Sequence, residues 1–131
     1  MNPKDLLYAE THEWARVAQE GGRKVATIGI TAFALQQLTD LVHMVLPKVG
    51  AKVSAGQPFG EVESVKAVSD LYSPVDGEVV AVHSDLVGKL ETMASDPYNT
   101  GWMIKVALSD ESSLKKLMDA ATYEKQCAAE G

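Results

Sequence analysis

The octapeptide ESVKAVSD, residues 63–70, places a single lysine at the centre of a nearly palindromic segment. Mirror order is typical of an antiparallel hairpin, in which directly opposed residues form cross-strand pairs. The mirror predicts a turn at Lys66-Ala67 and the pairs Val65 with Val68, Ser64 with Ser69, and Glu63 with Asp70. Tight turns favour Gly or Asn, and neither is present. An ordinary loop lysine is the plain alternative, but the symmetric frame indicates a lysine placed for exposure.

Residues typical of a catalytic centre are scarce in the rest of the chain. The three histidines, His12, His43 and His83, have no Cys or acid at a metal-binding spacing apart from the adjacent Glu13, which a strand would point to the opposite face. The sequence contains no Gly-rich phosphate loop and no nucleophile elbow. The single Cys127 excludes an internal disulfide and is expected to be incidental rather than a reactive thiol. The protein is therefore not expected to be an enzyme.

Composition indicates one soluble domain of ordinary type. The chain has 131 residues, 46% of them hydrophobic and 23% charged, which is enough for a single core. A net charge of −6 makes nucleic acid an unexpected partner. No apolar run approaches membrane-spanning length, and the first residues lack the pattern of a signal peptide. The expectation is an intracellular protein or a processed mature form.

The first half of the chain predicts a hairpin, a helix and a strand. The run WARVAQEGGRKVATIGI reads as two strands joined at Gly21-Gly22. The run TAFALQQL reads as a short helix capped by Thr31. The run DLVHMVLP is almost entirely apolar and stops at Pro47, as a buried strand would.

The second half predicts short strands followed by a helix. Glycines and prolines occur too often in residues 48–82 for helices to form there. The segment SDLVGKLE predicts a helical turn or two, and GWMIKVAL predicts a strand. From Ser109 onward, apolar residues recur at helical spacing: Leu114, Leu117, Met118 and Ala121. These elements predict a small β-rich domain with a helix at its C-terminal end.

The segment GQPFGEVESVKAVSDLYSPVDGEVV resembles the lipoylation segment of the glycine cleavage system H proteins. The pieces HEW, ATIGIT, DPY, GWMIK and YEK match the same family in order, so the resemblance covers essentially the whole chain. A biotin carrier would show a methionine on each side of the lysine, where this chain has Val65 and Ala67. The chain departs from residues usual in the family at several positions, among them Thr39, His43, Val45, His83 and Ala94.

The resemblance implies a mainly β fold, a flattened barrel-sandwich hybrid of two antiparallel sheets with a C-terminal helix and short helical segments. It implies a single lipoyl-carrier domain over residues 1–131, with an attachment core at about 25–107 and the helix at about 110–128. It also implies that lipoate is attached to Lys66 as an amide. The protein would then be a non-catalytic carrier whose cofactor supplies the reactive group.

The implied function is transfer of the aminomethyl group of glycine from glycine decarboxylase to the aminomethyltransferase. Dihydrolipoamide dehydrogenase and lipoyl-transferring enzymes are the other implied partners, with no membrane partner and a monomeric chain. Matched residue by residue, Thr11, Glu13 and Asp70 would hold the ammonium of the loaded arm. An acidic face beside the arm suits a visiting cation. The implied location is the bacterial cytoplasm, or the mitochondrial matrix in a eukaryote.

Two other functions stay open at the level of sequence. Some relatives of the family serve as lipoyl donors or as carriers in other sulfur chemistry. A structural or interaction domain that no longer carries lipoate is the third interpretation, and the intact VESVKAVSD segment argues against it.

Overall fold

The computed structural model of the chain describes residues 3–38 and 40–130, and most of its regular structure is β-strand. The strands are β1 (Leu7–Tyr8), β2 (Glu13–Glu20), β3 (Arg23–Ile30), β4 (Leu41–Val45), β5 (Lys52–Val53), β6 (Pro58–Ser64), β7 (Val68–Tyr72), β8 (Asp76–Val82) and β9 (Ile104–Asp110). The α-helices are α1 (Ala32–Leu38), α2 (Leu90–Ser95) and α3 (Ala120–Glu130), and short 3₁₀ helices cover Pro3–Asp5, Ser84–Gly88 and Ser112–Lys116.

The strands form two antiparallel sheets. The larger sheet has the order β1-β2-β3-β9-β8-β5, and the smaller has the order β4-β6-β7. Apolar side chains from both sheets meet in one core, represented by Ile28, Val62, Val79 and Val106. The expected mainly β fold of two antiparallel sheets with a C-terminal helix is confirmed.

The β2–β3 hairpin forms where the sequence predicts it. Gly21 and Gly22 both have positive φ, as a tight primed turn requires. In this hairpin the fully buried Trp14 lies opposite Gly29. A Cβ atom at Gly29 would lie 2.5 Å from the Trp14 ring, so only glycine allows this packing. The predicted helix also forms as α1, and the Thr31 hydroxyl caps it by accepting a hydrogen bond from the Ala34 N–H at 3.2 Å.

The strand predicted in DLVHMVLP exists, but its predicted burial is wrong. As β4 it lies at the edge of the smaller sheet, with Met44 facing the core and Val42 and Val45 exposed. A nearly continuous apolar run is typical of a strand covered on both faces. Here only one face of the strand is covered, so the apolar run gave a misleading signal.

The C-terminal helix begins about ten residues later than the helical spacing predicts. Strand β9 continues to Asp110, a 3₁₀ helix follows, and α3 begins only at Ala120. The backbone of Met118 instead exchanges two hydrogen bonds with Tyr8, at 2.7 and 2.8 Å, which ties this segment to the larger sheet. The helix then docks through Tyr123, whose ring stacks on Tyr8 at 4.5 Å between centroids.

Candidate functional site

Lys66 lies at the tip of the β6–β7 hairpin, but the register of this hairpin differs from the predicted one. The Ser64 N–H donates to the Ala67 carbonyl at 2.8 Å, so the two central turn residues are Val65 and Lys66. The predicted cross-strand pairs are wrong, because the centre of the hairpin lies one residue earlier. The observed pairs are Glu63 with Val68, Val62 with Ser69, and Glu61 with Asp70.

Ser64 explains why the turn forms at this position. Its hydroxyl oxygen accepts hydrogen bonds from the N–H groups of Lys66 and Ala67, each at 3.2 Å. Side-chain bonds of this kind stabilise turns without glycine. Neither central residue has positive φ, so neither Gly nor Asn is needed. Lys66 is exposed, between the similarly exposed Val65 and Val68, as the sequence predicts for a displayed lysine.

The observed register still pairs two acids across the hairpin, but one of the two differs from the prediction. Asp70 is exposed and lies opposite Glu61 rather than Glu63. Like charges directly opposed across two strands destabilise a sheet by a few tenths of a kcal/mol to about 1 kcal/mol. Asp70 makes no ion pair with any residue in the described ranges.

The structure brings Thr11, Glu13 and Asp70 to one cleft of about 170 Å³. This cleft, here called the arm cleft, lies where the free edge of β7 meets the start of β2. Its polar groups come from the Thr11–Glu13 turn, from β7 and from Gln37 of α1, the helix that covers it on one side. Its apolar lining comes from Ile30, Ala34, Leu38, Val62 and Leu71.

Glu13 is the most buried acid of the cleft, with 2% of its surface exposed. The Thr11 hydroxyl donates to its Oε1, and the backbone N–H of Tyr72 donates to its Oε2 at 3.1 Å. Burial raises the pKa of the Glu13 carboxyl from 4.5 to about 7, although these hydrogen bonds act in the opposite direction. A carboxyl with this pKa changes charge near neutrality, so it responds strongly to a cation brought into the cleft.

Known proteins match this chain over almost its full length. A family model described as "Glycine cleavage H-protein" matches residues 6–130. The glycine cleavage system H protein of Rhodopirellula baltica is 58% identical over 130 residues, which cover 99% of this chain and 98% of that protein. The chain belongs to the glycine cleavage H-protein family.

Two further relatives agree with this assignment. The glycine cleavage system H protein of Bacillus subtilis is 50% identical over 93% of each chain. The crystal structure of a glycine cleavage system H protein from Mycobacterium marinum superposes with a TM-score of 0.83 at 39% identity, covering 97% of this chain and 99% of that one. The protein is thus a lipoyl carrier of the glycine cleavage system and not itself an enzyme. These relatives do not favour the alternative of a lipoyl donor.

One residue beside the arm cleft of this H-family chain was missed by sequence reasoning. His12, read as an isolated polar residue, has a φ of +77° and lies between Thr11 and Glu13. Its Nδ1 lies 2.7 Å from the Tyr123 hydroxyl and its Nε2 lies 3.2 Å from Oε1 of Glu130. Both partners are more than 100 residues away along the chain, so no local pattern could have indicated them.

Four positions expected to depart from the family, His43, Val45, His83 and Ala94, do not line the arm cleft. His43 and Val45 are exposed on β4, opposite Glu63 and Glu61. His83 stacks on Trp102 at 4.6 Å, and its Nδ1 lies 2.7 Å from the carbonyl oxygen of that residue. Ala94 is exposed on α2, and Thr39 lies outside the described residues.

Within residues 3–38 and 40–130, no group of three or more His, Cys, Asp or Glu residues is placed to hold a metal ion. No helix there is both long enough and apolar enough to cross a membrane.

Proposed function

We propose that the Lys66 amine carries the lipoyl group of this carrier as an amide, and that the arm cleft shelters the loaded arm. The exposed position of Lys66 supports the first part, because an enzyme must reach the amine to modify it. The reach along β7 supports the second part. Asp70 lies three residues beyond Ala67, about 10 Å along a strand, which is within the span of a lysyl arm extended by a lipoyl group.

The residues of the cleft suit such a group. Side chains of Ile30, Leu38, Val62 and Leu71 offer an apolar wall for an alkyl arm and its sulfur-containing ring. When bound, the lipoyl group supplies a reducible disulfide that takes up the aminomethyl unit. The chain's own residues supply placement, exclusion of water and a charged pocket for the cargo.

The polar end of the cleft suits a primary ammonium. Glu13 and Asp70 provide the negative charge, and charge-assisted hydrogen bonds from an ammonium to a carboxylate are stronger than neutral ones. The Thr11 hydroxyl gives its proton to Glu13, so its oxygen lone pairs are available to accept a further hydrogen bond. A cation at this position favours the ionised form of Glu13 and offsets the effect of burial on its pKa.

The partners proposed for this carrier are glycine decarboxylase, the aminomethyltransferase, dihydrolipoamide dehydrogenase and a lipoyl-transferring enzyme. Membership of the glycine cleavage family supports this set. A monomeric chain and a location in the bacterial cytoplasm are proposed with it, and the bacterial origin of the relatives supports the location.

The convergence of Thr11, Glu13 and Asp70 on one cleft carries this proposal, and the lifetime of the loaded form tests it. Lipoylated protein is loaded with glycine and glycine decarboxylase, the enzyme is removed, and ammonia release is followed. Glu13→Gln and Asp70→Asn each remove a charge while keeping the shape of the side chain. A hydrogen bond to a charged group contributes roughly 1.5–3 kcal/mol, so each variant should release ammonia about 10- to 150-fold faster than the wild type.

A matched control is Glu63→Gln, which removes an exposed charge from the same hairpin on a residue that does not line the cleft. It should decay at the wild-type rate. Wild-type decay in both cleft variants would show that the arm is not held by these acids.

A further inference from the structure

The Thr11–Glu13 turn has an unusual backbone conformation. His12 is the one non-glycine residue with positive φ in the described part of the chain. This left-handed region is unfavourable for most L-residues, and a glycine would adopt it without strain. A histidine at this position therefore indicates that contacts made by its ring offset the energetic cost of the left-handed backbone.

The ring is held by the C-terminal helix. Its Nδ1 lies 2.7 Å from the hydroxyl of Tyr123, and its Nε2 lies 3.2 Å from Oε1 of Glu130. The ring of Phe33 in α1 also lies close to the His12 ring, at 4.9 Å between centroids. The His12 carbonyl also accepts a hydrogen bond from the Thr31 N–H at 3.0 Å. Side chain and backbone are therefore both anchored.

Tyr123 is the centre of this arrangement. It is 5% exposed, and its hydroxyl lies 2.6 Å from Oγ1 of Thr31 as well as close to His12. Burial raises the pKa of the Tyr123 hydroxyl, so it keeps its proton and can donate it. One consistent order of donors has the Thr31 hydroxyl donating to Tyr123, Tyr123 donating to Nδ1 of His12, and Nε2–H donating to Glu130.

We propose that Tyr123 is a positioning residue of the arm cleft: by holding the His12 ring it keeps the turn in the conformation that presents Thr11 and Glu13 to the cargo. This inference rests on the proposed function of the cleft. The helix that carries Tyr123 contributes no residue to the lining of the cleft, so its effect is transmitted through His12.

Tyr123→Phe tests the inference, because phenylalanine keeps the stack on Tyr8 and removes only the hydroxyl. The loaded form of lipoylated Tyr123→Phe should release ammonia about 2- to 12-fold faster than the wild type, as expected for loss of one ordinary hydrogen bond. The rate of lipoylation should stay unchanged. Val53→Ala is the control for general destabilisation, since β5 lies at the opposite edge of the larger sheet from β1 and β2. It should lower the melting temperature and leave the loaded lifetime unchanged.

A double-mutant cycle separates transmission through His12 from other effects. His12→Gly accommodates the left-handed backbone but removes the ring, and it should shorten the loaded lifetime. Adding Tyr123→Phe to His12→Gly should then cause no further loss. If Tyr123→Phe does not fold, His12→Gly alone still tests whether the His12 ring is needed for the loaded lifetime.

The outcomes distinguish the two proposals. If Glu13→Gln shortens the lifetime while Tyr123→Phe and His12→Gly do not, the cleft holds the arm and the positioning function is refuted. If Glu13→Gln also leaves the lifetime unchanged, the proposed function fails, and the inference fails with it. Equal shortening by Tyr123→Phe and Val53→Ala would reduce Tyr123 to a purely structural residue.

Discussion

At the scale of single residues, Lys66 is distinguished by its surroundings rather than by any special chemistry of its own. Hydrogen bonds to Ser64 stabilise the turn, and Val65 and Val68 are exposed like the lysine itself. The backbone adopts no strained conformation there. The amine proposed to carry the lipoyl group is thus displayed on a hairpin whose conformation does not depend on the lysine side chain.

Lys66→Arg should therefore fold normally and carry no lipoyl group. The guanidinium remains protonated and does not act as a nucleophile under these conditions. Intact-mass measurement of protein expressed in lipoate-replete cells checks this, with the wild type as the positive control. A mass gain equal to one lipoyl group in the Arg variant would place the attachment site elsewhere.

Glu13 should make the stability of the protein depend on pH. Its pKa is about 7 in the folded state and 4.5 without burial, so the folded protein binds more protons between these values. The stabilisation linked to this proton is present in full below pH 4.5 and is lost as pH rises through about 7. Glu13→Gln removes the titration. Its free energy of unfolding relative to the wild type should increase by on the order of 2 kcal/mol between pH 5 and pH 8.

Urea unfolding of both proteins across this range measures the difference. A pH-independent difference between the two proteins would contradict a buried, readily protonated Glu13.

Sequence reasoning at this scale reached the displayed lysine, and the family resemblance led to the three polar residues of the cleft. The sequence could not indicate that Glu13 is buried, because the strand edge that covers Glu13 includes Tyr72, which lies 59 residues away along the chain. The contacts that hold the His12 ring could not be predicted from the sequence for the same reason. Hydrogen bonds between distant segments leave no periodic pattern in a sequence.

At the scale of elements, the hairpin shows the limit of arguments from symmetry. The palindrome predicts the hairpin and the exposure of its tip correctly, yet its centre is misplaced by one residue. Pairing of residues by type contributes a few tenths of a kcal/mol to about 1 kcal/mol. The two side-chain hydrogen bonds to Ser64 and the bond from the Val65 N–H to the Asp40 carbonyl at 3.0 Å decide the register instead.

Exchange of Val65 and Lys66 should abolish lipoylation without unfolding the protein. Both positions are exposed and central in the turn, so the exchange costs little stability, but it moves the amine to a different direction of projection. Intact mass and a melting curve are the two measurements. Lys66→Arg provides the unmodified reference, and efficient lipoylation of the exchanged protein would mean that the modifying enzyme does not read the geometry of the turn.

The C-terminal segment illustrates a different limit. Apolar spacing from Ser109 onward is compatible with a helix. Ala121 is exposed on α3, but Leu114, Leu117 and Met118 pack against the apolar clusters of the protein. The structure uses them in a 3₁₀ helix and an extended link instead, because Met118 pairs with Tyr8 of the larger sheet. A partner strand decided the local conformation, and spacing alone could not indicate it.

At the scale of the whole molecule, the two proposed tasks depend on different parts of the fold. The β6–β7 hairpin displays Lys66, whereas the cleft proposed for the cargo also needs the Thr11–Glu13 turn, whose His12 ring contacts Tyr123 of the C-terminal helix. Attachment of the cofactor and protection of the cargo should therefore be separable.

A chain truncated after Asp119 tests this separation. It loses Tyr123 and its stack on Tyr8, so its free energy of unfolding should fall by about 3 kcal/mol or more, as for removal of a large buried aromatic. Lipoylation should persist wherever the truncated chain is folded, and the lifetime of the loaded form should fall. Melting curves, intact mass and ammonia release measure the three effects. Loss of lipoylation in a folded truncated chain would contradict the separation.

The hydrogen bond between Glu13 and the backbone of Tyr72 has a consequence for self-association. β7 is an edge strand, and unpaired N–H and C=O groups along a strand edge are a template for pairing with a second chain. The Glu13 carboxylate accepts a hydrogen bond from one of these N–H groups, that of Tyr72, and Asp70 places a charge on the same strand. The acids suited to hold the cargo therefore also discourage intermolecular β-pairing. A substitution that weakens the proposed hold on the cargo is therefore also expected to expose a strand edge.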